Sequence, residues 1–342
     1  MPRHMRIIHA AAVRPVRVAL LLATGCVIAG CAPSSFLITP VSPSMRLEEK
    51  EVLRESVWAS TKIALIDVTG VISNAPPSSL FGPAGDNPVV RFKEKLDKAA
   101  GDRHVRAVVL RINSPGGGVT ASDLMYDELL RFRKKTGKPV ITYMLDVAAS
   151  GGYYLACASD RIFAHPTTVT GSIGVIMISP DISGAMQKLG IRANVIKSGK
   201  MKDAGSPFRA MEADDRAVFQ TMIDGMYERF LEVVAAGRPG IDKSKLREIA
   251  DGRVYGAVEA KARGLIDEIG GIHDAIAAAR TAAGLGERKI VVVEYARRMD
   301  YRPNVHARVA GTGPQVNLVN IELPDWLRNP APQFMYLWAP GW

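Results

Sequence analysis

The chain has 342 residues, of which 47% are hydrophobic and 23% are charged, and its formal net charge is +10. This length allows a full-sized core with one or two domains, and the composition is that of an ordinary globular protein. Arg3, Arg6, Arg14 and Arg17 lie in the first thirty residues, where no acidic residue stands. Without that segment the net charge is +6 and is spread along the sequence with no basic cluster beside aromatic residues. The composition therefore argues against a nucleic-acid-binding protein.

Residues 1–30 predict a lipoprotein signal peptide. The cationic start is followed by an apolar stretch from Val18 to Ile28, which is too short for a confident transmembrane helix. It ends in Ile28-Ala29-Gly30-Cys31, which resembles the bacterial lipobox, whose cysteine is lipidated and becomes the first residue of the mature chain. We expect lipidation at Cys31; an uncleaved anchor with an incidental cysteine is the alternative.

The cysteine pattern agrees with this interpretation. The chain has three cysteines, and removal of residues 1–30 leaves only Cys31 and Cys157. With lipid on Cys31, no disulfide within the chain is possible, and Cys157 is expected to pack as a small core residue.

A tether is predicted over 31–58, a folded domain over 59–288, and a strand followed by a loosely ordered tail over 289–342. Strands are predicted at 62–68, 105–112, 139–145, 161–164, 169–178, 192–197 and 289–294. Helices are predicted at 89–100, 119–135, 150–158, 181–189, 212–236, 243–250, 256–263 and 273–283. Strands that alternate with helices predict an α/β domain with a largely parallel sheet.

The tail contains six prolines between Pro303 and Pro340. Its aromatic residues are unusual for a loose tail, and we expect them to pack on the domain, on a neighbouring subunit or near lipid. They are Trp326, Tyr336, Trp338 and Trp342.

One serine and three lysines are the candidates for hydrolytic chemistry. Ser150 stands among small residues in VAASGGYY (147–154), just before a predicted helix, and KSGKMKD (197–203) brings lysines into a glycine-marked loop. A hydroxyl needs a base to remove its proton, and a neutral lysine can serve. Lowering a lysine pKa from about 10.4 to about 7 costs roughly 4.6 kcal/mol, which burial can supply. The residues alone leave Lys197, Lys200 and Lys202 open as that base.

Other catalytic sets are poorly represented. The histidines of the mature chain lie in no catalytic sequence, and Ala148 replaces the first glycine of a G-x-S-x-G elbow around Ser150. Gly116-Gly117-Gly118 directly follows a predicted buried strand. This position suits an oxyanion hole of backbone N–H groups, although a flexible turn would have the same sequence pattern. A phosphate-binding loop is disfavoured because no Lys-Ser/Thr pair follows.

Five short motifs follow one another along the chain. They are RINSPGGG (111–118), AASGGYY (148–154), TGSIGV (170–175), KSG through KD (197–203) and DGRVY (251–255). Together they resemble the signal peptide peptidase A family of bacterial serine peptidases, over roughly residues 60–285.

The resemblance implies a fold related to ClpP and crotonase, built from repeated β-β-α units, and a Ser-Lys dyad. Carried over by motif, Ser150 is the nucleophile, Lys202 the general base and Ser172 the residue that holds the lysine amine. The N–H groups of Gly117 and Ser150 would form the oxyanion hole. The family also implies a ring of subunits in which serine and lysine come from neighbouring protomers. No cofactor and no metal is expected.

The sequence thus predicts a membrane-associated serine endopeptidase of the bacterial cell envelope. It would be held by its N-terminal lipid, face the periplasm, and degrade signal peptides or other peptides released from the membrane. A crotonase-like enzyme acting on acyl thioesters and a catalytically silent scaffold lipoprotein are the alternatives. Export argues against the first, and the presence of Ser150 and Lys202 argues against the second.

Overall fold

A nine-stranded mixed sheet organises the computed structural model, which describes residues 47–75, 87–297 and 333–338. The predicted signal peptide, Cys31 and the first part of the predicted tether lie outside the described residues. The chain divides into two units, Met1–Pro43 and Ser44–Trp342, and the buried core is built from Leu47 onward.

The strands, in chain order, are β1 Glu48–Arg54, β2 Thr61–Thr69, β3 Val105–Ser114, β4 Gly116–Gly118, β5 Val140–Ala149, β6 Arg161–Ala164, β7 Val169–Gly171, β8 Ile176–Ile178, β9 Val254–Gly256, β10 Glu268–Ile269, β11 Ile290–Ala296 and β12 Gln333–Leu337. The helices are α1 Pro88–Gly101, α2 Val119–Thr136, α3 Gly151–Ala156, α4 Ser183–Lys188, α5 Ala213–Gly237, α6 Lys243–Ile249, α7 Ala257–Ala262 and α8 Ile272–Ala282, and a 3₁₀ turn spans Lys200–Asp203. Within the described ranges, no helix is long and apolar enough to cross a bilayer.

The main sheet has the order β1-β11-β2-β3-β5-β6-β10, and β7 pairs with both β5 and β9. Its central pairs are parallel, whereas β1 with β11 and β7 with β9 are antiparallel. A second sheet of three strands has the order β4-β12-β8. The predicted α/β class with a parallel-rich sheet is confirmed.

Helices cover both faces of the main sheet, as parallel strands require. Alternate residues of β2 point to opposite faces. Ile66 packs in one cluster with Phe92 of α1, and Leu65 packs in the other with Ile276 of α8. The near-continuous apolar runs of β2 and β3 follow from burial on both sides.

The α1 and α2 helices end where their sequences dictate. Asn87 caps α1 because its Oδ1 accepts from the Val89 amide at 3.0 Å, and Pro88 occupies the first helical position. Gly137 ends α2 in the left-handed conformation, with φ of 66°.

Three segments differ from the predicted elements. The predicted tether contains β1, which pairs with β11, so the fold begins before residue 59. The predicted strand at 192–197 is not a strand: Ile196 is fully exposed, and no described strand pairs with this segment. The predicted loose tail contains β12.

A buried ionic cluster links β2, β3 and β11. Arg111 donates to both carboxylate oxygens of Asp67, at 2.6 and 2.9 Å, and to Glu294 Oε1 at 3.1 Å. The side chain of Arg111 is 2% exposed, and that of Glu294 is 1% exposed. Because buried charges are costly without partners, Arg111 stabilises both carboxylates.

We predict that Arg111→Leu lowers the free energy of unfolding by about 3–5 kcal/mol at neutral pH, because it removes the guanidinium that both buried carboxylates bind. The loss should shrink as pH falls and those carboxylates become protonated. Urea denaturation at several pH values measures this. Arg131→Leu, at an exposed pair with Glu128, is the control and should change stability by about 1 kcal/mol or less. Equal effects of the two substitutions would contradict the prediction.

Candidate active site

The carboxyl ends of β3, β5 and β7 meet at one edge of the main sheet, and the residues that follow them form the candidate site. In the registers, Ser114 stands opposite Ala148 and Ala149 opposite Gly171. Gly116–Gly118, Ser150 and Ser172 therefore lie at the same edge. The structure brings these predicted residues together.

Ser150 and Ser172 share an unusual backbone conformation. Their φ angles are 50° and 52°, and they are the only non-glycine residues with positive φ in the described part of the chain. Such strained positions occur where the surrounding structure fixes a side chain for function. Here the fixing interactions are two short hydrogen bonds, from the Ser150 amide to Gly171 O (2.8 Å) and from the Ser172 amide to Arg253 O (2.7 Å).

The Ser150 hydroxyl lies in a closely packed turn. Ser150 is 1% exposed, and its Oγ has no hydrogen-bond partner among the described residues. The two glycines that follow are required by space: a Cβ on Gly151 would lie 2.4 Å from Ser122 Oγ, and one on Gly152 would lie 2.9 Å from Ser114 O. A buried hydroxyl without a partner is costly, so it marks a place where another group is expected to bind.

The glycine strand β4 is held beside this turn. The Gly118 amide donates to Ile72 O at 2.9 Å, and the Ile72 amide donates to Gly116 O at 2.8 Å. A Cβ on Gly117 would lie 1.9 Å from Ile72 O, so only glycine fits there. The segment predicted as an oxyanion loop is thus a strand whose backbone is packed against another backbone.

The tail strand β12 lies between β4 and β8 and is antiparallel to both. Tyr336 stands opposite Gly117, and the Trp338 amide donates to Pro115 O at 2.8 Å. A Cβ on Gly116 would lie 2.0 Å from Tyr336 O and 2.7 Å from the Gly151 amide nitrogen. An extended peptide therefore runs past the Ser150 turn with one carbonyl directed at β4 and Gly151.

An aromatic pocket receives the Tyr336 side chain, which is fully buried. Its ring centroid lies 5.1 Å from that of Tyr154 and 4.7 Å from that of Phe230, and its hydroxyl donates to Met226 O at 2.7 Å. Burial raises the pKa of Tyr336 above its ordinary value. The pocket thus accepts a large aromatic side chain and satisfies its hydroxyl.

The amide groups near Ser150 differ from the predicted oxyanion hole. The Ser150 N–H already donates to Gly171 O, which leaves it committed in this conformation. Gly151 is the first residue of α3, and the first amides of a helix have no partner within the helix. The Gly151 amide is therefore a further candidate donor, which the sequence analysis did not name.

The three candidate lysines lie on a mostly exposed segment between β8 and α5. Lys197 pairs with Asp203 at 2.6 Å, and Lys200 pairs with Asp214 at 2.5 Å, which raises the pKa of Lys200. Lys202 is exposed, and its side chain forms no hydrogen bond or ion pair within the described ranges. Of the three lysines, Lys202 is therefore the one without an ion pair in the described part of the chain.

The acidic residue after Lys202 has its own partners. Hydrogen bonds from Arg209 and then from Lys197 hold the pKa of Asp203 well below its usual range. Arg209 also binds both carboxylate oxygens of Asp215 at the start of α5. These contacts fix the turn that carries Lys202. Within one chain, however, no hydrogen bond joins Lys202 to Ser150 or Ser172 in the described part of the structure.

Residues 132–286 match the model of peptidase family S49. The chain is 38% identical over 246 residues to a protein of Enterococcus faecium whose name describes it as a signal peptide peptidase, SppA; the match covers 72% of this chain and 70% of that protein. It is 36% identical over 215 residues to Protease 4 of Haemophilus influenzae, covering 63% of this chain and 34% of that protein. It is 34% identical over 257 residues to the chloroplastic serine protease SPPA of Arabidopsis thaliana, covering 75% and 37%.

Cys157 is a residue of the core, as predicted. Cys157 is buried, and burial raises the pKa of its thiol to about 12. We predict that iodoacetamide at mildly alkaline pH leaves Cys157 unmodified in the folded chain and alkylates it in urea, because only the thiolate reacts. Mass spectrometry of a form lacking residues 1–31, in which Cys157 is the single cysteine, measures this. Rapid alkylation of the folded protein would contradict it.

Proposed function

We propose, from the premise that this chain belongs to peptidase family S49 and is a serine peptidase, that it cleaves extended peptides with Ser150 as nucleophile and Lys202 as general base. The family carries a ClpP-like fold, in agreement with the observed sheet. One observation supports the peptide site most directly: β12 passes the Ser150 turn as an antiparallel strand paired with β4 and β8.

A substrate would take the path of β12. Strand addition gives main-chain affinity for any extended peptide, and pockets give preference for particular side chains. In this position the residue corresponding to Tyr336 precedes the scissile bond, and its side chain enters the pocket of Tyr154 and Phe230. We therefore expect a preference for a large aromatic or apolar residue at that place.

The oxyanion hole would be formed by the Gly117 and Gly151 amides. Tyr336 stands opposite Gly117 in the antiparallel register, and its carbonyl oxygen and the Gly151 amide crowd the same point beside Gly116. This replaces the predicted Ser150 amide, which donates to Gly171. Backbone N–H groups held in this way stabilise the charge that develops on the carbonyl oxygen during attack.

The reaction follows from these positions. The neutral Lys202 amine takes the Ser150 hydroxyl proton as Oγ attacks the scissile carbonyl carbon, and the Gly117 and Gly151 amides bind the oxyanion. The lysine ammonium then gives its proton to the leaving amine as the C–N bond breaks, which leaves an ester on Ser150. Water attacks that ester with Lys202 again as the base. The bond from the acyl carbon to Ser150 Oγ breaks, the lysine ammonium returns its proton to Oγ, and the acid product leaves.

Lys202 would reach Ser150 from a neighbouring protomer. In one chain Lys202 is exposed and forms no hydrogen bond with Ser150, so a second surface would have to bring it against the serine and bury it there. A cavity of about 350 Å³ opens beside Ser172 and is lined by apolar and polar groups alike, among them Ile173, Val175, Asp224 and Asp251. An amine entering there would lose water and keep the Ser172 hydroxyl as a partner.

Exposed apolar residues on the segment between β8 and α5, which carries Lys202, support an interface between copies of the chain. Ile182, Leu189, Ile191, Ile196 and Phe208 are all exposed there. Grouped exposed apolar residues mark contact surfaces. We propose a homo-oligomer with shared active sites. It would be held to the membrane by lipid on Cys31, face the periplasm, and degrade signal peptides or other released peptides.

We predict that Ser150→Ala and Lys202→Ala each abolish hydrolysis of an unfolded protein by the form lacking residues 1–31, whereas Lys200→Ala retains it. If serine and lysine come from different protomers, mixing and reassembling the two inactive variants should restore about a quarter of the parent activity, because each site draws its two residues independently. Activity assays with assembly size checked by light scattering measure this.

Two outcomes would contradict the proposal. Activity that survives Lys202→Ala but not Lys200→Ala would move the base to Lys200. No recovery in a mixture shown to have exchanged subunits would place both residues of a site in the same chain.

Substitutions at Gly117 and Gly118 test the proposed role of β4 in the oxyanion hole. We predict that Gly117→Ala lowers kcat by about a hundredfold or more, because its Cβ would displace β4 from Ile72 and move an oxyanion donor. Gly118→Ala is the matched control, since its Cβ would meet Ala121 Cβ at an ordinary 3.8 Å. The assay uses a short peptide with tyrosine before the scissile bond. Comparable activities of the two variants would rule out this role for β4.

A further inference from the structure

The edge of the main sheet opposite the candidate active site carries a group of unpaired cations. This amino edge is where β11, β2, β3 and β5 begin, side by side in that order. The segments entering β3, β5 and β11 bring cations together from three distant parts of the sequence. The exposed ones are Arg103, Arg106, Lys134, Lys135, Arg288 and Lys289.

None of these six side chains forms a hydrogen bond or ion pair within the described ranges. The acidic residues of the same edge are largely engaged elsewhere. Asp102 pairs with Lys62 at 2.9 Å, Asp160 pairs with Arg133, and Glu55 pairs with Arg280, which leaves Glu287. The amino edge is therefore strongly positive, and its charge is available to a partner.

A cavity of about 280 Å³ lies within this edge, between the Arg103 and Arg106 side chains and the end of α8 at Ala282 and Ala283. Lys138 also lines it, but its Nζ donates to Ala99 O at 2.6 Å and Asp102 O at 2.8 Å. The two guanidinium groups are thus the free donors. Guanidinium is well suited to binding phosphate oxygens in pairs.

An apolar turn stands on the same edge. Val57 is 80% exposed and Trp58 is 90% exposed, in the connection from β1 to β2 beside the start of β11. The turn is held in place: the Ala59 amide donates to Ser56 O at 3.0 Å, and Arg54 Nη1 donates to Ala59 O at 2.8 Å. A fixed, exposed tryptophan beside cations is typical of a contact with the headgroup region of a membrane.

We propose that the amino edge is a docking surface for a bilayer rich in anionic phospholipid. Phosphate groups of the lipid lie against Arg103 and Arg106, and Trp58 enters the headgroup region. β1 begins opposite Ala296, at the carboxyl end of β11, so the segment from Cys31 must pass the length of a strand to return to the bilayer. Residues 32–46 span at most about 50 Å when extended, which is longer than any strand of the sheet and allows a lipid on Cys31 to enter the same bilayer. The surface is independent of the peptidase chemistry.

This orientation has a consequence for the substrate. Ser150 and β4 lie at the carboxyl edge, so they face away from the bilayer when the amino edge lies on it. Substrates then arrive from the aqueous side, as peptides already released from the membrane.

Vesicle sedimentation with the form lacking residues 1–31, which keeps the whole described core but no lipid, tests the proposal. We expect binding to phosphatidylcholine vesicles that contain phosphatidylglycerol, little binding to pure phosphatidylcholine, and a steep fall with added salt. Arg103→Gln with Arg106→Gln should weaken binding roughly twentyfold. Trp58→Ser should weaken it further and remove a blue shift of tryptophan emission on binding.

Lys188→Gln with Arg192→Gln removes the same charge from exposed positions far from the amino edge and is the matched control. Equal binding by the two double variants, equal binding to both kinds of vesicle, or no binding at all would overturn the proposal. Binding to a short RNA duplex but not to vesicles would also overturn it and would indicate a nucleic-acid surface. Peptide hydrolysis in lipid-free solution should be unchanged in the Arg103/Arg106 and Trp58 variants, which separates this test from that of the proposed function.

Discussion

The site depends on backbone packed directly against backbone. A Cβ has no space at Gly116 or Gly117, because Tyr336, Gly151 and Ile72 already lie on either side of β4. The same closeness directs amide groups and a peptide carbonyl to one point beside Ser150, where they would stabilise negative charge. The strained serines at 150 and 172 are held by hydrogen bonds to Gly171 of β7 and to Arg253, which directly precedes β9, so the edge of the sheet sets much of the geometry.

The spacing of apolar residues and the residues that end helices predicted the parts of the fold that local sequence controls. α1, α2 and α8 agree with their predicted ranges because apolar spacing and end signals coincide there. β1 and β12 were missed because each is a strand through its partner: a charged segment pairs with β11, and a tail segment pairs with β4 and β8. Residues 192–197 have strand-like composition but no partner, and composition alone cannot report that.

The candidate site shows the same division. The motifs identified Ser150, Ser172 and Gly117, which the sheet brings to one edge. The amide of Ser150 was assigned by analogy, and only coordinates reveal that Gly171 already accepts from it. Among the lysines, sequence alone left three choices; the ion pairs of Lys197 and Lys200 separate them from Lys202. The cations of the amino edge were invisible in the sequence because they are up to 186 positions apart, from Arg103 to Lys289.

If substrates take the path of β12, as proposed, Tyr336 makes the tail a competitor for them in the pocket of Tyr154 and Phe230. A tail tethered to the same molecule acts at an effective concentration in about the millimolar range, whatever the concentration of the protein. A peptide would therefore have to displace β12 from its place beside β4 before it could bind. Short or weakly pairing peptides would be turned over slowly. Long unfolded segments with several aromatic residues would gain access more readily, so the tail would set a threshold on what is degraded.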